Sequence, residues 1–221
     1  MRLLRVTFLI FAMISCSSSD ENNSMFSEND PEDPVTVDSH DPNADYQLLF
    51  IGNSLTASND LPHLIRNKYL EMGISVSCTS MTPPGFGLED HWNTGLIQGM
   101  ISSGYYDFVI IQQGPSSQEY GRSSLIEYGG LIAELCNIND TELAFFMVWP
   151  SLTYYNTFDG VIDNYTEAAS LSNAILCPVG RNWKYYFEQT EDYSYYGSDG
   201  FHPSLSGSES AARIIIQYLG I

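Results

Sequence analysis

Positive charge is what this sequence has least of: eight Lys or Arg stand against 27 Asp or Glu, a formal net charge of −19 over 221 residues. Nowhere do Lys and Arg gather into a basic stripe, so the phosphate contacts that dominate nucleic-acid binding have no source. The same field disfavours substrates with several negative charges, and neutral or weakly charged ones fit better. Cysteine is also sparse. After Cys16 only Cys78, Cys136 and Cys177 remain, an odd number without the C-x-x-C spacing of a zinc or dithiol site. Cys78 and Cys177 fall in apolar runs that read as strands, which predicts buried free thiols. The four histidines are scattered, so no metal site is expected. There is no internal repeat, and low complexity is confined to residues 17–45.

What is present divides the chain into three parts. Arg2 and Arg5 precede an apolar run over residues 6–14 that ends in Ser15-Cys16, the pattern of a secretory signal peptide and too short to span a bilayer. A small residue followed by cysteine resembles the lipobox of bacterial lipoproteins, although Met13 stands where leucine is usual; the resemblance implies a signal over 1–15 and a lipidated Cys16. An ordinary signal peptide cut elsewhere is the alternative. Residues 17–45 hold nine acids, no Lys or Arg and three prolines. Such a segment cannot bury enough apolar surface to offset its ordering entropy, so 16–45 is expected to be a flexible acidic tether. An acidic run after a lipidated cysteine also resembles the surface-export signal of Bacteroidota lipoproteins, which implies an outer-membrane or cell-surface location with the lipid as the sole membrane contact. The remaining 46–221 carries 18 acids against six Lys or Arg, and is long enough for one well-buried domain.

Within that domain the hydrophobic periodicity switches repeatedly between strand and helix. Residues 48–51 form an apolar run bounded by the polar turn Gly52-Asn53-Ser54, as expected of a strand buried on both faces. Further strands are expected near 74–80, 107–113, 143–149 and 174–179, with helices near 61–72, 88–101, 124–136, 161–171 and 205–219. Alternation of this kind predicts an α/β fold, a three-layer α/β/α sandwich around a five-stranded parallel sheet in the order 2-1-3-4-5. Ser54 then lies at the carboxyl end of the first strand, where open α/β sheets bind ligands. It could equally be a helix cap, a role open to Asn53 as well.

The most specific stretch is Ser198-Asp199-Gly200-Phe201-His202-Pro203-Ser204. An acid three residues before a histidine, in a turn held by glycine and proline, lets one loop present an imidazole together with the carboxylate that orients it. A serine hydroxyl becomes a useful nucleophile once such a base takes its proton. With Gly52-Asn53-Ser54-Leu55 near one end of the domain and Asp199 to His202 near the other, the chain resembles the SGNH/GDSL hydrolases over residues 46–219. The resemblance implies a flavodoxin-like SGNH fold, with Ser54 as nucleophile, His202 as general base and then acid, and Asp199 as its partner. Neither a metal nor an organic cofactor is needed for that chemistry. The Gly-Asn-Ser-Leu-Thr opening, the Gln-Gly-Pro-Ser-Ser turn and Pro178-Val179-Gly180 are similar to a subgroup of Bacteroidota secreted proteins. The absence of G-x-S-x-G argues against the α/β-hydrolase elbow.

The middle motifs depart from the family pattern. The resemblance implies an oxyanion hole built from the Ser54 amide and a glycine amide, assigned to Gly85 with Gly87 second. The third donor is normally an asparagine, but Gly114-Pro115-Ser116-Ser117 puts serine in its place, so either Ser116 or a glutamine, Gln112 or Gln113, is expected to serve. Trp92, Trp149, Tyr154, Tyr155, Trp183 and the tyrosines of 193–196 are candidates for a sugar-binding rim. The expected function is therefore a lipid-anchored extracytoplasmic serine esterase acting on O-acyl, foremost O-acetyl, groups of a carbohydrate or another small ester. The alternatives are a catalytically weak glycan-binding module of the same fold, and an anion binder using the turn after the first strand as a phosphate cradle.

Overall fold

The computed structural model of the protein describes residues 35–37 and 41–221. The expected signal sequence, Cys16 and the tether up to residue 34 lie outside the described residues. Strand β1 is Val35–Val37, β2 Tyr46–Ile51, β3 Val76–Met81, β4 Phe108–Ile111, β5 Glu142–Phe146 and β6 Ile175–Cys177. They form one sheet in the order β1-β3-β2-β4-β5-β6, parallel from β3 to β6 and antiparallel between β1 and β3. The five parallel strands follow the expected 2-1-3-4-5 order. Strand β1 is additional, and it comes from the span read as tether; Val-Thr-Val is a β-branched run in an otherwise acidic segment, and β-branched residues favour extended backbone.

Leu48 to Ile51 of β2 are fully buried, as are Val109 and Ile111 of β4 and Ala144 to Phe146 of β5. Such strands need cover on both faces, which the helices supply. Helix α2 (Leu61–Glu71) packs against α8 (Leu205–Leu219), while α5 (Glu119–Ile138) packs against α3 (Leu88–Thr94), α4 (Leu96–Ser102) and α6 (Phe158–Leu171). The single helix expected over 88–101 is two, because Gly95 between them adopts φ 75°, a left-handed conformation that stops α3 and redirects the chain into α4. Helix α5 starts earlier than its apolar periodicity suggests, with Glu119 in the first turn favouring the positive helix end. Among the described residues no helix is long and apolar enough to cross a membrane.

Cys78, Cys136 and Cys177 are buried free thiols, as expected. Burial pushes Cys136 and Cys177 up to about 12, which leaves them unreactive as nucleophiles. The sugar-rim expectation needs correction. Trp149 and Trp183 are both 0% exposed and stack face to face with centroids 3.6 Å apart, and Tyr196 is buried beside them. These rings belong to the core under the carboxyl end of β5 and under α7 (Val179–Thr190). Tyr154, at 65% exposure, faces outward.

Candidate active site

Strand β2 delivers the chain to Gly52-Asn53, and the short helix α1 (Ser54–Ala57) begins at Ser54 itself. Asn53 caps this turn: its side-chain oxygen accepts the Leu55 amide at 3.0 Å, while its side-chain nitrogen donates to Phe86 O at 2.9 Å. The cap being Asn53, the Ser54 hydroxyl is left to point elsewhere. It lies 2.9 Å from His202 Nε2, and His202 Nδ1 lies 2.6 Å from Asp199 Oδ2. Since the carboxylate can only accept, Nδ1 carries the proton, and Nε2 is free to accept from Ser54 Oγ. Asp199 Oδ1 takes the amides of Phe201 and His202 at 2.9 Å each. The imidazole first, then the Phe201 amide, holds the Asp199 carboxyl below the usual carboxylate range. The carboxylate therefore keeps its charge and the tautomer is fixed.

The 193–204 loop is tied down on several sides. Trp149 Nε1 donates to Phe201 O at 3.0 Å, the Leu152 amide to Gly200 O at 2.8 Å, and Tyr196 Oη to Pro150 O at 2.8 Å. Asn59 Nδ2 reaches Pro203 O at 3.0 Å. Ser204 then caps α8 by accepting the Gly207 amide at 3.1 Å. The buried aromatics thus contribute to the site by holding the loop that carries Asp199 and His202 against the end of β5.

The oxyanion candidates separate cleanly. The Ser54 and Gly85 amides make no hydrogen bond among the described residues. Gly87 is ruled out as the alternative, because its amide donates to Asp90 Oδ2 at 2.8 Å. For the third donor the structure departs from expectation. The Ser116 hydroxyl donates to Gly114 O at 2.9 Å and accepts from Gln113 Nε2 at 2.8 Å, so its proton is spent inside its own turn. Gln113 is likewise committed, donating to Gly121 O and accepting from Ser124 Oγ. Gln112 is buried, and its amide nitrogen is sealed from solvent without a partner.

The acceptor end of Gln112 has a different task. Its Oε1 receives the Asn53 amide at 3.0 Å and Thr56 Oγ1 at 2.8 Å, bracketing Ser54 from both sides. Gly52 is required here, since a Cβ on it would stand 2.6 Å from both Gln112 Oε1 and Thr56 Oγ1. Gln112→Met would leave two buried donors unpaired, at about 1–3 kcal/mol each. We expect kcat to fall by roughly 10–100-fold with KM little changed, and Gln112→Glu, which keeps an oxygen in place, to recover most of the loss; steady-state kinetics on a small ester check this.

His91 was not anticipated as part of the site. Fully buried, its Nε2 donates to Gly52 O at 2.7 Å, fixing the strand end one residue before the cap, and burial lowers its pKa so that it stays neutral. The sequence signal is faint: a histidine on an otherwise helical segment shows nothing of the carbonyl it will meet. Beside the triad, a cleft of about 740 Å³ opens between the turns after β4 and β5 and is bordered by Asp199 and Phe201.

No family model matches the chain. No curated protein matches it in sequence. Solved structures match it in fold. A protein assigned to the SGNH hydrolases from Slackia heliotrinireducens superposes with a TM-score of 0.67 at 21% identity, covering 79% of this chain and 99% of that one. A lipase/acylhydrolase from Enterococcus faecalis gives 0.64 at 16% identity, over 78% and 94%. An acetylxylan esterase from Geobacillus stearothermophilus gives 0.58 at 15%, over 80% and 95%. The chain has the SGNH hydrolase fold.

Proposed function

We propose that the protein is a serine esterase that removes O-acyl groups, O-acetyl foremost, from a carbohydrate. The observation that carries this reading is the continuous chain Ser54 Oγ, His202 Nε2, His202 Nδ1, Asp199 Oδ2, with separations of 2.9 and 2.6 Å. Ser54 Oγ attacks the ester carbonyl while Nε2 takes its proton, and Asp199 stabilises the imidazolium. The Ser54 and Gly85 amides receive the oxyanion, a backbone pair in place of the usual three donors. As the tetrahedral species collapses, His202 returns the proton to the departing alcohol oxygen. Water, deprotonated by the same nitrogen, then releases the acid and restores Ser54. A lipase/acylhydrolase and an acetylxylan esterase among the structural neighbours support the reaction class, and the second of them supports the carbohydrate. The acidic composition of the domain agrees with a neutral substrate. The pattern ending at Cys16 supports a lipid anchor at the outer membrane or cell surface.

A fluorophosphonate probe tests the reading directly. Ser54 Oγ displaces fluoride from phosphorus, and peptide mass spectrometry should find the adduct on Ser54, with labelling lost in His202→Ala. Absence of the adduct from the wild-type protein would instead favour the glycan-binding module.

A further inference from the structure

We infer that the cleft beside Asp199 is the leaving-group site, built for an uncharged glycan, and that Tyr154 and Thr153 set its specificity; this rests on the esterase reading above. The cleft holds about 740 Å³, within the roughly 300–1,000 Å³ of small-molecule sites. It touches the triad at Asp199, and it is there that the alcohol leaving Ser54 with the proton from His202 is placed.

Its lining decides what that alcohol is. Pro115, Pro150, Phe201 and Tyr154 offer ring faces and CH₂ edges, while Leu, Ile, Val and Met are absent from the wall, which is unlike a pocket for a fatty acyl chain. Ser117, Ser151 and Thr153, each with a hydroxyl, also line it. None of these donates to a protein acceptor among the described residues, so they are available to sugar hydroxyls. No Lys or Arg lines the cleft, and its one ionisable carboxyl is Asp199, already held by His202. A carboxylated sugar would meet that negative charge with nothing to balance it, whereas a neutral one meets rings and hydroxyls. Tyr154, 65% exposed on the rim, presents an unburdened aromatic face of the kind on which the CH side of a pyranose packs.

The test compares three substrates on the full chain: p-nitrophenyl acetate, a chemically O-acetylated neutral xylo-oligosaccharide, and an O-acetylated oligogalacturonate. Tyr154→Ala should lower kcat/KM on the neutral oligosaccharide by about tenfold, the worth of one aromatic contact, and on p-nitrophenyl acetate by a clearly smaller factor, because that leaving group is a single ring with no pyranose chain to lay on the rim. Thr153→Lys, also at an exposed position, should raise kcat/KM on the galacturonate several-fold without raising it on p-nitrophenyl acetate, whose leaving group carries no carboxylate. The proposal is overturned if Tyr154→Ala affects all substrates equally or none, if Thr153→Lys gives no gain, or if the wild type cleaves p-nitrophenyl acetate and ignores the neutral oligosaccharide. Failure of the esterase reading itself looks different: p-nitrophenyl acetate turnover would then be absent, or would persist in Ser54→Ala.

Discussion

With alanine at position 54, kcat for p-nitrophenyl acetate is expected to drop by roughly 10⁴-fold or more. Ser54 Oγ is the hydroxyl within hydrogen-bond reach of His202 Nε2, and without it the imidazole has no bound nucleophile to activate. What survives is stabilisation by the amides and binding, worth a residual ~10³–10⁴ over water in hydrolases of this type. The substitution should leave folding intact, because Ser54 opens a helical turn already capped by Asn53 and alanine suits that position. His202→Ala should be nearly as severe. Asp199→Asn should be at least about tenfold milder than Ser54→Ala, since the Asp199 side chain is 51% exposed and solvent screens its charge. Stopped assays with thermal melts separate activity from stability; a Ser54→Ala protein that retained more than about a hundredth of the wild-type rate would contradict the assignment.

The second large effect falls on stability. A Cβ on Gly207 would sit 2.2 Å from Tyr195 O and 3.0 Å from Trp183 Cη2. Neither neighbour can yield cheaply: Tyr195 O accepts the Ser204 amide at 2.9 Å, and Trp183 is buried in its stack with Trp149. Helix α8 must therefore move away from the loop it follows, taking the Ser204 cap with it. Overpacking of this kind costs about 2–4 kcal/mol, and for a domain of this size Gly207→Ala should lower Tm by roughly 5–15 °C. Because the displaced loop carries Asp199 and His202, kcat should fall as well, by up to roughly 100-fold for a shift near 1 Å. Calorimetry checks the first effect and kinetics below the melting range the second; a Tm within about 3 °C of wild type would mean the backbone absorbs the methyl.

The strands and the two ends of the site were legible because each is a short contiguous pattern. Leu48 to Ile51 had to be buried on both faces, and Asp199 and His202 share one turn. The middle of the site was hidden for a geometric reason. Gln112 and Gln113 follow the same strand, yet one turns its oxygen to the Asn53 amide and the other braces Ser116, and which does which depends on register and side-chain direction. Composition identified Gln112 as a polar residue at a strand end, but its acceptor rather than its donor is the working group. The aromatics misled for a related reason. Trp149 and Trp183 sit beside loops in sequence, but nothing in spacing says that they face each other under those loops. The break at Gly95 was visible as a glycine and ambiguous as a stop, since glycine also occurs within helices.

Strand β1 has a bearing on how the molecule is oriented. Val35 pairs with Met81, the last residue of β3, and Val37 with Thr79. The polypeptide before residue 35 therefore joins the domain at the carboxyl pole of the sheet, the same pole at which β2 delivers Ser54. Under the anchor proposed at Cys16, the chain would enter the domain on the triad's side of the sheet.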